Sequence, residues 1–402
     1  MSEFDITFYR TDHPGDETFG AVKLPATWNE LQDAKEQARI TNNHVDYKVE
    51  VSYIKRDCLA DLIPENVKPL ELNLLAQRLA IMSAQQGGIF DGMVAIEAQK
   101  RKGEPIPILE LVNFTHSLDN CHVAYNVRSN TALGRWLYDN DMLSDDEYSR
   151  ATFKESESQY ADEYFAILGR KHCEMEGGAF TSVGYIEIET IDEVYKPGQS
   201  ISLERSGEPV VIELCKGLYD DSDYVPSAII YLPVSDAEFV SEINAAIDKV
   251  GAASVEECDI HCADCLIPQA KELIDNTNEL EIINQYAKAL DNLSGRASVI
   301  KLKSIMEAVR PTNLELATML VSNIDQYNLN TTMGSSIDYA KEYLARIKPD
   351  AEIENHINLS ALGNELIQRD NVVQTSYGYL TRNDGEPISQ MVQENNPVME
   401  LG

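Results

Sequence analysis

The chain repeats itself. A shift of 208 residues lays Phe19-Gly-Ala-Val-Lys-Leu24-Pro25 on Ser227-Ala-Ile-Ile-Tyr-Leu232-Pro233. Each segment reads as a strand that runs into a Leu-Pro step and then a helix start, Thr27 with Glu30 or Ser235 with Glu238. Ser or Thr followed three residues later by Glu is the signature of a capping box. At the same shift Leu72, Leu75, Leu79 and Met82 meet Leu280, Ile283, Ala287 and Leu290, the apolar stripe of one helix. Leu118-Asp119-Asn120 meets Ile324-Asp325-Gln326 at a shift of 206, and Leu133, Trp136 and Leu137 meet Ala340, Tyr343 and Leu344 at 207. Leu168-Gly169 and Thr181-Ser182-Val183-Gly184-Tyr185 recur as Leu362-Gly363 and Thr375-Ser376-Tyr377-Gly378-Tyr379, both at 194. Matched blocks in one order identify an internal duplication. The fall of the shift to 194 places extra residues of the first copy near Ser144 to Gln159, a polar and acidic stretch.

The repeat sets the expected organisation: a first module over 1–195, a turn-rich linker over 196–209, a second module over 210–382 and a loose C-terminal tail over 383–402. Strands and helices alternate in each copy, which predicts an α+β fold, an elongated multi-subdomain protein of two tandem modules. Trp136 and Tyr343 occupy equivalent helix positions and are expected in the core. The longest apolar run is about as long as Ala228–Val234, well short of the roughly 20 residues that a membrane helix needs. The start, Met-Ser-Glu-Phe-Asp, lacks a secretory leader's basic and apolar regions, and seven cysteines fit free thiols in a reducing cytoplasm.

Charge is the second constraint. The chain has 67 acidic and 33 basic side chains, a net −34. That charge repels phosphate and excludes nucleic acid as a direct ligand. Carboxylates are interleaved with apolar residues throughout, so they are expected on the surface of folded elements, where they repel one another. The densest region of the first copy is Asp139, Asp141, Asp145, Asp146, Glu147, Glu155, Glu157, Asp162 and Glu163; in the second it is Asp220, Asp221, Asp223, Asp236, Glu238 and Glu242. Duplex DNA carries a charge every ~1.7 Å, so 34 charges match roughly 58 Å of duplex.

Cys258, His261, Cys262 and Cys265 lie within eight residues and are weak candidates for zinc or an iron–sulfur cluster. The first copy lacks them near Val51 to Cys58, so a repeat-derived strand with incidental small residues is the expected reading, with no metal and no cofactor. No nucleophile elbow, zinc-protease motif, phosphate loop or dinucleotide fingerprint occurs, and nothing nominates a catalytic pair.

Ile6-Thr-Phe-Tyr9, the acidic loop after it, Phe19 to Pro25 and the acidic helix that follows resemble the N-terminal subdomain of ArdA-type antirestriction proteins. Glu71-Leu-Asn-Leu-Leu75 resembles that family's Glu-Leu-Asn helix. Leu168-Gly169 with Gly184-Tyr185, and Leu362-Gly363 with Gly378-Tyr379, resemble its C-terminal block. The resemblance covers roughly residues 5–190 and 210–382. It implies a non-enzymatic acidic protein of mobile genetic elements that mimics the phosphates of B-form DNA and occupies the DNA-binding site of a type I restriction-modification enzyme. Family members carry one module and dimerise, whereas this chain carries two; a fused pseudo-dimer and a homodimer both remain open. The alternatives are a metal-binding or redox enzyme on the Cys258–Cys265 cluster, and an acidic scaffold for basic proteins.

Overall fold

The computed structural model describes residues 2–11, 18–40, 45–156, 160–216, 226–349 and 356–388. The first half runs β1 (Phe4–Arg10), β2 (Phe19–Leu24), α1 (Trp28–Gln37), β3 (Tyr47–Ile54), α2 (Pro69–Ala80), α3 (Ala84–Lys100), α4 (Ile108–His116) and β4 (Cys121–Tyr125). It continues through α5 (Asn130–Asp139), α6 (Asp145–Ser156), α7 (Ala161–Glu176), β5 (Ala179–Phe180) and β6 (Gly184–Ile188). The second half runs β7 (Val210–Lys216), β8 (Ser227–Leu232), α8 (Phe239–Val250), β9 (Cys258–Cys265), α9 (Lys271–Asp275), α10 (Leu280–Asp291), α11 (Gly295–Val309) and α12 (Leu314–Ser322). It ends with β10 (Tyr327–Asn330), α13 (Ser336–Ile347), α14 (Leu359–Arg369), β11 (Val373–Thr375) and β12 (Gly378–Arg382). The fold is α+β, with three-stranded sheets ordered β2-β1-β3, β4-β6-β5, β8-β7-β9 and β10-β12-β11. Among the described residues no helix is long and apolar enough to cross a membrane.

The two halves repeat element by element. The Leu24-Pro25 and Leu232-Pro233 bonds are both cis. β4 pairs with β6 so that Ala124 faces Tyr185, and β10 pairs with β12 so that Asn330 faces Tyr379, the same register in both copies. Gly169 on α7 and Gly363 on α14 have one role. A Cβ on Gly169 would stand 2.0 Å from the Asn130 carbonyl oxygen at the start of α5, and one on Gly363 would stand 1.9 Å from the Ser336 oxygen at the start of α13. The helices cross too closely for any side chain there. Gly184 and Gly378 close the second repeated motif at φ 155 and 150, and the Thr181 and Thr375 hydroxyls donate to their carbonyls at 3.1 and 3.0 Å.

The structure corrects the repeat alignment at the first long helix. α2 and α10 have equal length and begin at 69 and 280, an offset of 211 rather than 208. Leu72, Asn73, Leu75, Ala76 and Leu79 are buried on α2, and Ile283, Asn284, Tyr286, Ala287 and Leu290 on α10. A slip of three residues is nearly one helical turn, so it keeps a 3.6-residue stripe in phase and apolar matching cannot detect it. The polar member of the stripe settles the register. Asn73 Oδ1 accepts from the Ala26 N–H at 2.8 Å and its Nδ2 donates to the Ala26 oxygen at 3.0 Å. Asn284 makes the same two bonds to Val234, at 2.8 and 3.0 Å.

Four further expectations meet the structure. Thr27 caps α1 as expected: its Oγ1 accepts from the Glu30 N–H at 3.2 Å, and Glu30 Oε2 accepts from the Thr27 N–H at 2.8 Å. Ser235 does not cap α8, which starts later, at Phe239; its hydroxyl donates instead to the Glu238 carboxylate at 2.7 Å. α6 lies in the stretch where the first copy is expected to carry its extra residues, and the corresponding stretch of the second copy includes residues 350–355, outside the described residues. The start of the tail is ordered: Asn383 Nδ2 donates to the Asp325 oxygen at 2.7 Å and Ile388 is buried, while residues 389–402 lie outside the described residues.

The chain divides into two compact units, one of residues 1–7, 23–26 and 49–202, the other of 8–22, 27–48 and 203–402. In the first, Leu133, Leu137, Ala124 and Tyr185 form a core between α5 and β4/β6, with Trp136 packed half-buried against it. Ala151, Ala161, Phe165 and Leu168 seat α6 on α7. In the second, one continuous core runs from Val210 on β7 through Tyr286 and Leu302 to Leu380 on β12. Helix α1 belongs to the first repeat by sequence and to the second unit by its contacts.

Candidate functional site

In the first unit the described part of the acidic run lies on α5, α6 and α7, with Asp141 in the turn between α5 and α6. Asp139, Asp141, Asp145, Asp146, Glu155, Asp162 and Glu163 are exposed, Glu147 is half-buried, and Glu157 lies outside the described residues. Asp145, Asp146 and Glu147 occupy the first turn of α6, where the helix dipole favours negative charge. Part of the run is neutralised internally. Arg135 lies 2.9 Å from Asp162 and 3.9 Å from Glu155. Lys171 approaches Glu147 at 2.5 Å and the Ser144 hydroxyl donates to it at 2.7 Å. These hydrogen bonds hold the Glu147 carboxyl down at about 2. Asp139, Asp141, Asp145, Asp146 and Glu163 make no ion pair among the described residues.

In the second unit Asp236, Glu238 and Glu242 are exposed before and at the start of α8, and Asp220, Asp221 and Asp223 lie outside the described residues. Lys288 meets Asp236 at 2.5 Å and lowers its carboxyl below the usual range.

Not all the carboxylates are on the surface. Asp33 and Glu36 on α1 are buried, and so is the Lys303 side chain on α11 that lies 3.0 Å from Asp33 and 2.8 Å from Glu36. Arg296 adds a bond to Glu36 at 3.0 Å, and the Tyr377 hydroxyl donates to Asp33 at 2.7 Å. Burial, reinforced by the Asp33 charge, pushes the Tyr377 hydroxyl well up, so it keeps its proton and donates. Asn29 donates to the buried Asp264 at 2.8 Å. The polar face of α1 is therefore its packed face, opposite to what an acidic helix leads one to expect. Its partners arrive from segments more than two hundred residues away, and no local pattern marks them.

Cys258, His261, Cys262 and Cys265 lie on β9, the edge strand paired with β7. Cys262 and Cys265 are buried in the core and Cys258 and His261 are half-buried. The pairing slips between Val211 and Ile212, which leaves Ala263 as the bulged residue. Burial raises the Cys258 thiol, and a hydrogen bond that the Cys262 thiol donates to Cys265, together with burial, raises that of Cys262, so both favour the protonated form. Among the described residues no cluster of three or more His, Cys, Asp or Glu is arranged to hold a metal ion.

Between α5, α7 and the β4/β6 strands lies a cleft of about 650 Å³. Trp136, Leu137 and Leu168 give it apolar walls; His172, Glu176 and Glu187 give it polar ones. His172 Nε2 lies 2.6 Å from Glu187 Oε1. Sequence reading places Trp136 in the core; the structure leaves its half-buried face on this cleft.

The chain matches no protein-family model and no curated protein.

Proposed function

We propose that the protein is an ArdA-type antirestriction protein, a mimic of B-form DNA that occupies the DNA-binding site of a type I restriction-modification enzyme without catalysing a reaction. The observation that carries this reading is the set of exposed carboxylates on and between α5, α6 and α7 that make no ion pair among the described residues, in a chain of net charge −34. Exposed carboxylates spaced along helices present a field like that of a phosphate backbone, and such a field steers association with a basic channel. The duplicated architecture supports the reading, because two acidic modules extend the charged surface available to one target. The protein acts in the cytoplasm, where its target works.

The test is competition. Purified protein is expected to displace duplex DNA from a type I methyltransferase core, with inhibition that weakens as salt rises, because the attraction is screened over about 10 Å at 0.1 M salt. Absence of displacement at low salt sinks the reading. Pull-down of basic host proteins in its place favours the scaffold alternative.

A further inference from the structure

In the second repeat two arginines stand against the aromatic ring whose counterpart in the first repeat lines an open cleft. In the second unit the guanidinium of Arg369 stands 5.3 Å from the Tyr343 ring centroid, and that of Arg346 stands 5.5 Å from it. Arg369 also grips Asp370 with two nitrogens, at 2.8 and 3.1 Å. An aromatic face, a guanidinium and a carboxylate thus form one set.

The repeat offsets locate the same set in the first unit. Trp136 corresponds to Tyr343, each preceding a buried leucine, Leu137 or Leu344. α7 and α14 correspond at an offset of 194, fixed by Gly169 and Gly363 and by the left-handed residues Gly177 and Asn371 that follow the helices. On that register Glu176 takes the place of Asp370 and Met175 takes the place of Arg369. Two residues beyond the leucines, Asp139 takes the place of Arg346. The aromatic and the carboxylate are kept, and both arginines are gone.

From this we infer that the first-repeat cleft binds an arginine side chain supplied by a basic partner. The inference rests on the proposed function for the identity of that partner and on the cleft itself for the chemistry. Trp136 offers the strongest of the aromatic faces to a cation. Leu137 and Leu168 suit the aliphatic stem of the side chain. Glu176 is exposed at the cleft, and Glu187 bonds His172 through one oxygen, so carboxylate acceptors line the same walls. A guanidinium matches a carboxylate with two parallel donors, which a lysine ammonium cannot do.

The full-length chain with Trp28→Phe keeps Trp136 as its one tryptophan. Titration with N-acetyl-L-arginine methylamide should give a saturable change in Trp136 emission, larger than the lysine analogue gives. Met175→Arg copies the second repeat at a side chain that is 69% exposed, so folding is preserved and the cleft fills from within. It should weaken binding of the arginine probe, and displacement of DNA from the methyltransferase core, by roughly 2- to 30-fold, the scale of one cation–π contact. Ile167→Arg adds the same charge on α7 away from the cleft and should change neither. No saturable signal, or equal binding by the Met175→Arg chain, overturns the inference while wild-type DNA displacement leaves the proposed function standing. Probe binding without DNA displacement by the wild type overturns the proposed function and leaves the arginine cleft in place.

Discussion

Asn73 and Asn284 stand 211 positions apart in the chain and hold the same backbone step, each clasping the N–H and the carbonyl of one residue that follows a Leu-Pro bond. In each unit this amide fastens the end of a strand to the first long helix. Asn73→Ala leaves the Ala26 N–H and carbonyl unpaired in a buried place and should cost about 1–3 kcal/mol. Asn284→Ala should cost a similar amount through Val234. Denaturant midpoints check both; a neutral result at either site means that water replaces the amide there.

Lys303 is buried between Asp33 and Glu36 and ties α1 to the second repeat. Removing one member of such a group leaves uncompensated charge. Lys303→Met should therefore destabilise the second unit by about 3–5 kcal/mol. Adding Asp33→Asn and Glu36→Gln should recover part of the loss, because the orphaned charges disappear. Urea unfolding of the single and triple variants decides the matter, and equal stability of Lys303→Met and wild type contradicts it.

Gly169→Ala and Gly363→Ala should each cost about 1–3 kcal/mol through overpacking of crossed helices. The added methyl meets a backbone carbonyl, which cannot rotate away. Thermal melts of both variants should show comparable losses, since the geometry is repeated. A loss in one alone breaks the equivalence of the two helix pairs.

Glu147 supports the seating of α6 in a pH-dependent way. Lys171 and Ser144 hold its folded-state carboxyl at about 2, below its ordinary 4.5. A depressed carboxyl contributes stability above its unfolded value and loses it as pH falls through the folded one. The contribution should thus be complete above pH 4.5 and fade toward pH 2. Glu147 is half-buried and its partner Lys171 is exposed, so the effect is modest and shrinks with salt. Amide exchange of α6 across that window reads it out, and Glu147→Gln should flatten the profile.

Much of the fold is legible in the sequence. The repeated Leu-Pro steps and the Thr-Ser-x-Gly-Tyr motifs mark elements that the structure repeats in matching registers. The residue type states the local requirement: a glycine where backbones nearly touch, a threonine that closes a turn on its own chain. The α2 register is less legible, because hydrophobic periodicity does not change under a slip of about one turn, and the distant partners of Asn73 and Asn284 were needed to fix it.

The acidic composition was set by the amino-acid sequence alone, as were the duplication and the strand and helix content that follow from local patterns of spacing. Tertiary structure decided which carboxylates reach water. Asp33 and Glu36 look from the sequence like any acid on a helix, and they are buried because Lys303, Arg296 and Tyr377 arrive from far along the chain to compensate them. It also decided that Trp136 faces an open cleft while Tyr343 is already capped by arginines. Patterns of spacing describe one element at a time, whereas charge compensation depends on which elements meet.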